Sequence, residues 1–127
     1  MIPIINHITD PAVLEKAVGR YREKGIILPT FAQMQNPGLI PGKIRDKLKN
    51  IGLWDLHPLN LFRLTWKNEP KESGGLFGGP NFVELPKALT GIEARIIVML
   101  GKWFPTGAHK VGAAYGCLAP RIITGGF

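Results

Sequence analysis

Cysteine is nearly missing from this chain. Cys117 stands alone, which excludes an internal disulfide and suits a reducing, cytoplasmic compartment. Long apolar runs are missing too. The longest, residues 96–100, is a fraction of what a bilayer-spanning helix needs, so no membrane partner is expected. No basic leader or small-residue cleavage site precedes His7, which argues against a secretory signal. The three histidines, His7, His57 and His109, are too dispersed beside one cysteine to make a zinc site by spacing. Acidic residues are short as well: nine face sixteen lysines and arginines, for a formal charge of +7. Such a surplus suits a phosphate-bearing partner, either nucleic acid or a small phosphorylated ligand. The basic residues are scattered rather than gathered in a stripe, however, so the imbalance reads better as that of an incomplete chain. The ending, Ile122-Ile123-Thr124-Gly125-Gly126-Phe127, leads to the same expectation, since it stops after an apolar pair with no charged residue.

What is present is a globular composition, 45% hydrophobic over 127 residues, enough for one modest core. Thr9-Asp10-Pro11 supplies a helix N-cap followed by proline at the first helical position. Leu14, Ala17, Val18 and Tyr21 then recur at helical spacing, and Gly25 closes the segment. Thr30 is placed to cap a short turn through Met34, broken by Asn36-Pro37-Gly38. A second helix is expected from Pro41, with Ile44, Leu48 and Ile51 on one face, lysines and Arg45 mostly on the other, and Gly52 at its end. Phe62, Leu64 and Trp66 alternate with Arg63 and Thr65, which predicts a strand over 60–66. Residues 73–80, rich in glycine, read as a flexible loop. A short extended piece is expected over 82–85. A β-branched strand over 95–100 should be buried on both faces. From His109 or Lys110 a helix should run through Val111, Ala113, Ala114 and Cys117 and end at Pro120.

Two features resemble ligand sites only superficially. Lys43, Arg45, Lys47 and Lys49 make the second helix basic, but no aromatic side chains interleave with them, which favours a solvated face over a nucleic-acid surface. Gly38 to Lys43 departs from a nucleotide loop: three residues separate the glycines, and Ile44 stands where a metal-binding hydroxyl belongs.

The remaining feature is Phe104-Pro105-Thr106-Gly107-Ala108-His109-Lys110-Val111-Gly112-Ala113-Ala114. An apolar strand should run into a tight turn that delivers His109 and Lys110 to a helix start. Unpaired N–H groups and a partial positive charge there suit an anionic phosphate. Burial of the lysine amine among apolar neighbours should leave it nucleophilic. The small residues on either side let a flat ligand approach the backbone.

Thr106-Gly107-Ala108-His109-Lys110 resembles the cofactor-lysine motif of the tryptophan synthase β-like family of pyridoxal-phosphate enzymes, called fold type II. Phe82-Val83-Glu84-Leu85-Pro86 and Ala94-Arg95-Ile96-Ile97-Val98 are similar to that family's two strands before the lysine, so the resemblance covers about residues 80–127. The chain looks most like members described only as pyridoxal-phosphate-dependent protein, β subunit. It departs from the family at Gly101-Lys102-Trp103, where an acidic or polar residue is usual. After the lysine, Val111-Gly112 is nearer the tryptophan synthase pattern than the threonine synthase one.

The resemblance implies an α/β fold, with residues 1–59 a helical N-terminal extension and residues 60–127 the incomplete start of the cofactor domain. It also implies pyridoxal 5'-phosphate as cofactor and Lys110 as the catalytic, Schiff-base lysine. His109, Ala108, Gly107 and Thr106 would shape the site around the cofactor, with His109 near the phosphate. The implied activity is that of a lyase or transferase of amino-acid metabolism, acting by β-elimination or β-replacement. The family's phosphate loop lies beyond residue 127, so the implied enzyme is longer, working as a homodimer or with a partner subunit, and this fragment alone should be inactive. The alternative is a small basic binding module for nucleic acid or a phosphorylated ligand, without catalysis.

Overall fold

A computed structural model describes residues 7–67 and 80–126. The expected flexible loop lies, but for Pro80, outside the described residues.

Helix α1 spans Pro11–Glu23. The Asp10 carboxylate accepts hydrogen bonds from the Ala12 and Val13 amides at 2.9 and 3.1 Å, satisfying donors that a helix start leaves open. Gly25, at φ +61°, takes the left-handed conformation that ends the helix. Helix α2, Phe31–Gln35, starts in a capping box: Gln33 N–H donates to the Thr30 hydroxyl, and Thr30 N–H donates to the Gln33 side chain. A 3-10 turn over Pro37–Leu39 follows. Helix α3 occupies Gly42–Leu48, with Leu48 buried, so it stops short of the Gly52 expected to end it.

The strand predicted over 60–66 does not form. A 3-10 helix spans Pro58–Arg63 instead, and the reason is a period of three rather than two. In a 3-10 helix residues i and i+3 eclipse. Leu59 and Phe62 enter a cluster with Ile40, Leu48, Ile44 and Ile51. Leu61 and Leu64 enter another with Phe104, Tyr115, Ala119, Leu28, Met34 and Val111. The third column is polar, Asn60 and Arg63, and it is buried too. Arg63 Nη1 donates to the Ile51 carbonyl (2.7 Å) and to Asn60 Oδ1 (2.8 Å), and Nη2 donates to the Leu48 carbonyl (2.7 Å). A guanidinium thus satisfies carbonyls at and just beyond the end of α3, where positive charge is favoured. Asn60 Nδ2 donates to the Gly52 and Asp55 carbonyls, both at 2.9 Å, which fixes the intervening turn.

Strands β1 (Val83–Leu85) and β2 (Ile96–Val98) pair antiparallel, with Val83 opposite Val98 and Leu85 opposite Ile96. Between them lies α4, Lys87–Thr90. The expectation that β2 is buried on both faces fails. β1 is its one strand neighbour among the described residues, and Ile97 is 48% exposed. Arg95 and Glu84 form a forked pair across the hairpin at 2.9 and 2.8 Å. The Arg95 hydrogen bond holds the Glu84 carboxyl below its ordinary range.

Helix α5, Lys110–Thr124, runs through Pro120 instead of ending there. The carbonyl four residues back belongs to Gly116, and proline can neither pair with it nor avoid crowding it. Burial of Tyr115, Ala119 and Thr124 supplies the stabilisation that carries the helix across the break. Gly125, at φ +70°, ends it, and Gly126 N–H donates to the Arg121 carbonyl at 2.7 Å. The start of α1 is tied to this end, since Thr9 N–H donates to the Thr124 carbonyl at 2.6 Å. The architecture is therefore mixed α and β, rich in helix, with one small hairpin among the described residues. No helix among them is long and apolar enough to cross a membrane.

Candidate functional site

The segment before α5 is built from close backbone approaches. Phe104 is buried, and Pro105–Gly107 forms a 3-10 turn with two successive left-handed residues, Thr106 at φ +63° and Gly107 at φ +67°. Glycine adopts that conformation freely, but a β-branched residue there is a true outlier. Its cost, on the order of 1–3 kcal/mol, persists only when surrounding contacts impose it. Here they do. Thr106 N–H donates to the Leu53 carbonyl, and Gly107 N–H to the Phe104 carbonyl, both at 2.9 Å. A side chain on Gly101 would come within 3.1 Å of the His109 amide nitrogen, and one on Gly107 within 3.3 Å of the Trp54 ring. Ala108 then returns to extended backbone, His109 is already helical, and Lys110 opens α5.

Beside this helix start lies an open cleft of about 280 Å3, walled by Trp66, Phe104 and His109 with Gly112 and Ala113 on the helix side. Trp66 meets Phe104 edge-on at 4.8 Å and lies near-parallel to His109 at 6.0 Å. The helix start has no side-chain cap and no acidic residue in its first turn. No aspartate or glutamate occurs from position 94 to 127. The cleft lining carries no carboxylate and, Thr65 and His109 aside, is apolar, which beside a helix N-terminus suits a flat anion.

The expected site residues are brought together only in part. His109 lines the cleft. Lys110 is next to it in sequence but does not, and neither do Thr106, Gly107 or Ala108. Lys110 is exposed, so the expected burial of its amine is not provided by the described residues. Nothing in the sequence marks Trp66 as a site residue, because an aromatic at the end of an apolar run has the same signature as core. His57 has a structural duty: its Nδ1 accepts from Leu59 N–H at 3.1 Å and caps the 3-10 helix. Cys117 is exposed. Tyr115, one turn into α5, donates its hydroxyl to the Pro29 carbonyl at 2.7 Å, and burial raises its pKa above the ordinary value. No group of three potential metal ligands occurs among the described residues. The chain matches no family model, no curated protein and no solved structure.

Proposed function

We propose that this chain is the leading part of a pyridoxal-phosphate-dependent enzyme of the tryptophan synthase β-like kind, with Lys110 as the residue that holds the cofactor. One observation carries the reading: the Thr106-Gly107-Ala108-His109-Lys110 motif folds as a strained turn that opens directly into α5 at Lys110. The residues present fit such a group in three respects. An exposed amine is accessible to the cofactor's aldehyde carbon. An uncapped helix start next to His109 offers donors to a phosphate. The cleft at Trp66 and Phe104, lined by His109 with Lys110 just outside its lining, has apolar, flat walls. Its volume falls just below the roughly 300–1,000 Å3 of complete ligand pockets, as suits a site finished by further chain.

Within this scheme Lys110 Nζ would hold the cofactor through its aldehyde carbon, with water leaving, and would move the proton at the substrate's Cα. The imidazole of His109 and the first amides of α5 bind the phosphate. Trp66 and Phe104 keep water from one side of the site. When bound, the cofactor would supply an electron sink at the substrate's Cα, which fits β-elimination or β-replacement on an amino acid.

The test is covalent trapping in the complete enzyme. Borohydride reduction followed by peptide mapping should put the cofactor's mass on Lys110. The Lys110→Ala variant should lose both that mass and the long-wavelength absorption. Lys102, whose amine lies 5.4 Å from the centre of the Trp103 ring, is the control, and Lys102→Ala should keep both. Label on any other lysine would overturn the assignment.

A further inference from the structure

On the side of the molecule lined by α3 and the turn after α1 lies a larger groove, about 790 Å3, that the proposed cofactor site does not use. Its rim carries Lys24, Lys43 and Lys47, all exposed. Lys43 and Lys47 stand four residues apart on α3 and so project from one face. No aspartate or glutamate lines the groove. The acid on α3, Asp46, points its charge at Lys49 (2.9 Å), and the Asp55 carboxylate is occupied by Gly52 N–H at 2.7 Å. None of the three rim lysines joins a salt bridge among the described residues. No carboxylate of the groove lining therefore offsets their charge.

The floor is of another kind. Ile27, Ile44, Ile51 and Leu59 line it, and Ile27 is 56% exposed. An apolar floor under a cationic rim matches a ligand with apolar side chains on one face and carboxylates on the other. Single-stranded nucleic acid would need aromatic side chains for its bases to stack on, and no tryptophan, tyrosine or phenylalanine lines the groove.

We infer that this groove docks an acidic amphipathic segment of a partner protein, its aliphatic side chains on the Ile27 and Ile44 floor and its carboxylates on Lys24, Lys43 and Lys47. The mode is an amphipathic helix laid into a groove, its apolar anchors three and four residues apart, with charge complementarity setting orientation and specificity. This inference is independent of the cofactor reading and survives its failure.

The experiment is a fluorescence-polarisation titration of the protein with a labelled synthetic peptide bearing leucines at helical spacing and glutamates between them. Saturable binding is expected, weakening as salt is raised. The Lys43→Glu, Lys47→Glu double variant reverses charge at two exposed positions, and affinity should fall about tenfold or more. Ile27→Ser should weaken binding several-fold, and a peptide with serines for leucines should bind correspondingly less. Circular dichroism should be unchanged in both variants. Absence of saturable binding, affinity unchanged by charge reversal, or displacement of the peptide by equimolar oligothymidylate would each overturn the proposal, the last in favour of a nucleic-acid surface.

Discussion

Thr106→Gly should stabilise the protein, although it removes a side chain and inserts the most flexible residue. Thr106 sits at φ +63°, where a side chain on an L-residue costs about 1–2 kcal/mol. Glycine removes that cost and adds about 0.5–1 kcal/mol of chain entropy to the unfolded state. The Thr106 side chain is exposed, so little burial is lost. The balance is a gain of about 0.5–1 kcal/mol. Urea unfolding followed by tryptophan fluorescence measures it. With a slope of about 1–3 kcal/mol per molar urea, the midpoint should rise by a few tenths molar at constant slope. Gly107→Ala, one position on, must move the other way. Its φ of +67° then carries a side chain, and the new carbon lies 3.3 Å from Trp54 Cζ2, so a loss of about 1–2 kcal/mol is expected. A lower midpoint for Thr106→Gly, with Gly107→Ala near neutral, would refute the strained turn.

Gly125→Ala should be among the most damaging single substitutions in the described chain, because a Cβ there would collide with the Asp10 carbonyl at φ +70°; thermal unfolding should show a loss of about 2 kcal/mol or more. Arg63→Leu strips the Ile51 carbonyl and Asn60 Oδ1 of a buried donor and should cost about 2–4 kcal/mol. Arg63→Lys should not restore it, since one ammonium cannot replace a fork aimed at three acceptors. Glu84 has its pKa lowered by Arg95 from an ordinary 4.5, so its contribution to stability is full above that value and is lost as pH falls through the lowered one. Glu84→Gln should therefore flatten the acid limb of a stability–pH curve, modestly, because the pair is exposed.

The parts of the fold legible in the sequence were those with local chemistry. Asp10-Pro11, the Thr30 cap and Gly25 each act within a few residues of themselves, and α1, α2 and the approach to Lys110 follow. The 3-10 segment was not legible because Phe62, Leu64 and Trp66 satisfy a period of two, while the period of three depends on Arg63 being buried. Nothing local tells an arginine destined for solvent from one that reaches carbonyls twelve and fifteen residues away. Pro120 reads as a helix end by local rules and is overridden by packing of α5. The β-branched run at 96–98 reads as interior strand, but burial on both faces needs neighbours that composition cannot supply. In the candidate site, His109 and Lys110 at a helix start were legible from the motif, whereas Trp66 beside His109 was not.

The segment bearing Lys110 is held in place by residues that precede it by many positions. Leu53 accepts the Thr106 amide, Trp54 packs against Gly107, and Trp66 contacts the rings of both Phe104 and His109. Pro29 accepts the Tyr115 hydroxyl, and Thr9 pairs with Thr124 at the far end of α5. Both hydrophobic clusters combine side chains from either side of position 60, and the 3-10 helix Pro58–Arg63 feeds both. Strain at Thr106 can persist because these supports over-determine the turn: relaxing φ there would pull on the Leu53 carbonyl and on the Trp54 contact together. The Asn60–Arg63 knot fixes the Gly52–Asp55 turn that contains Leu53, so it indirectly fixes where Lys110 begins its helix. Arg63 and Thr106, one satisfying carbonyls and the other strained, are two ends of one mechanical chain, with the lysine at its outlet.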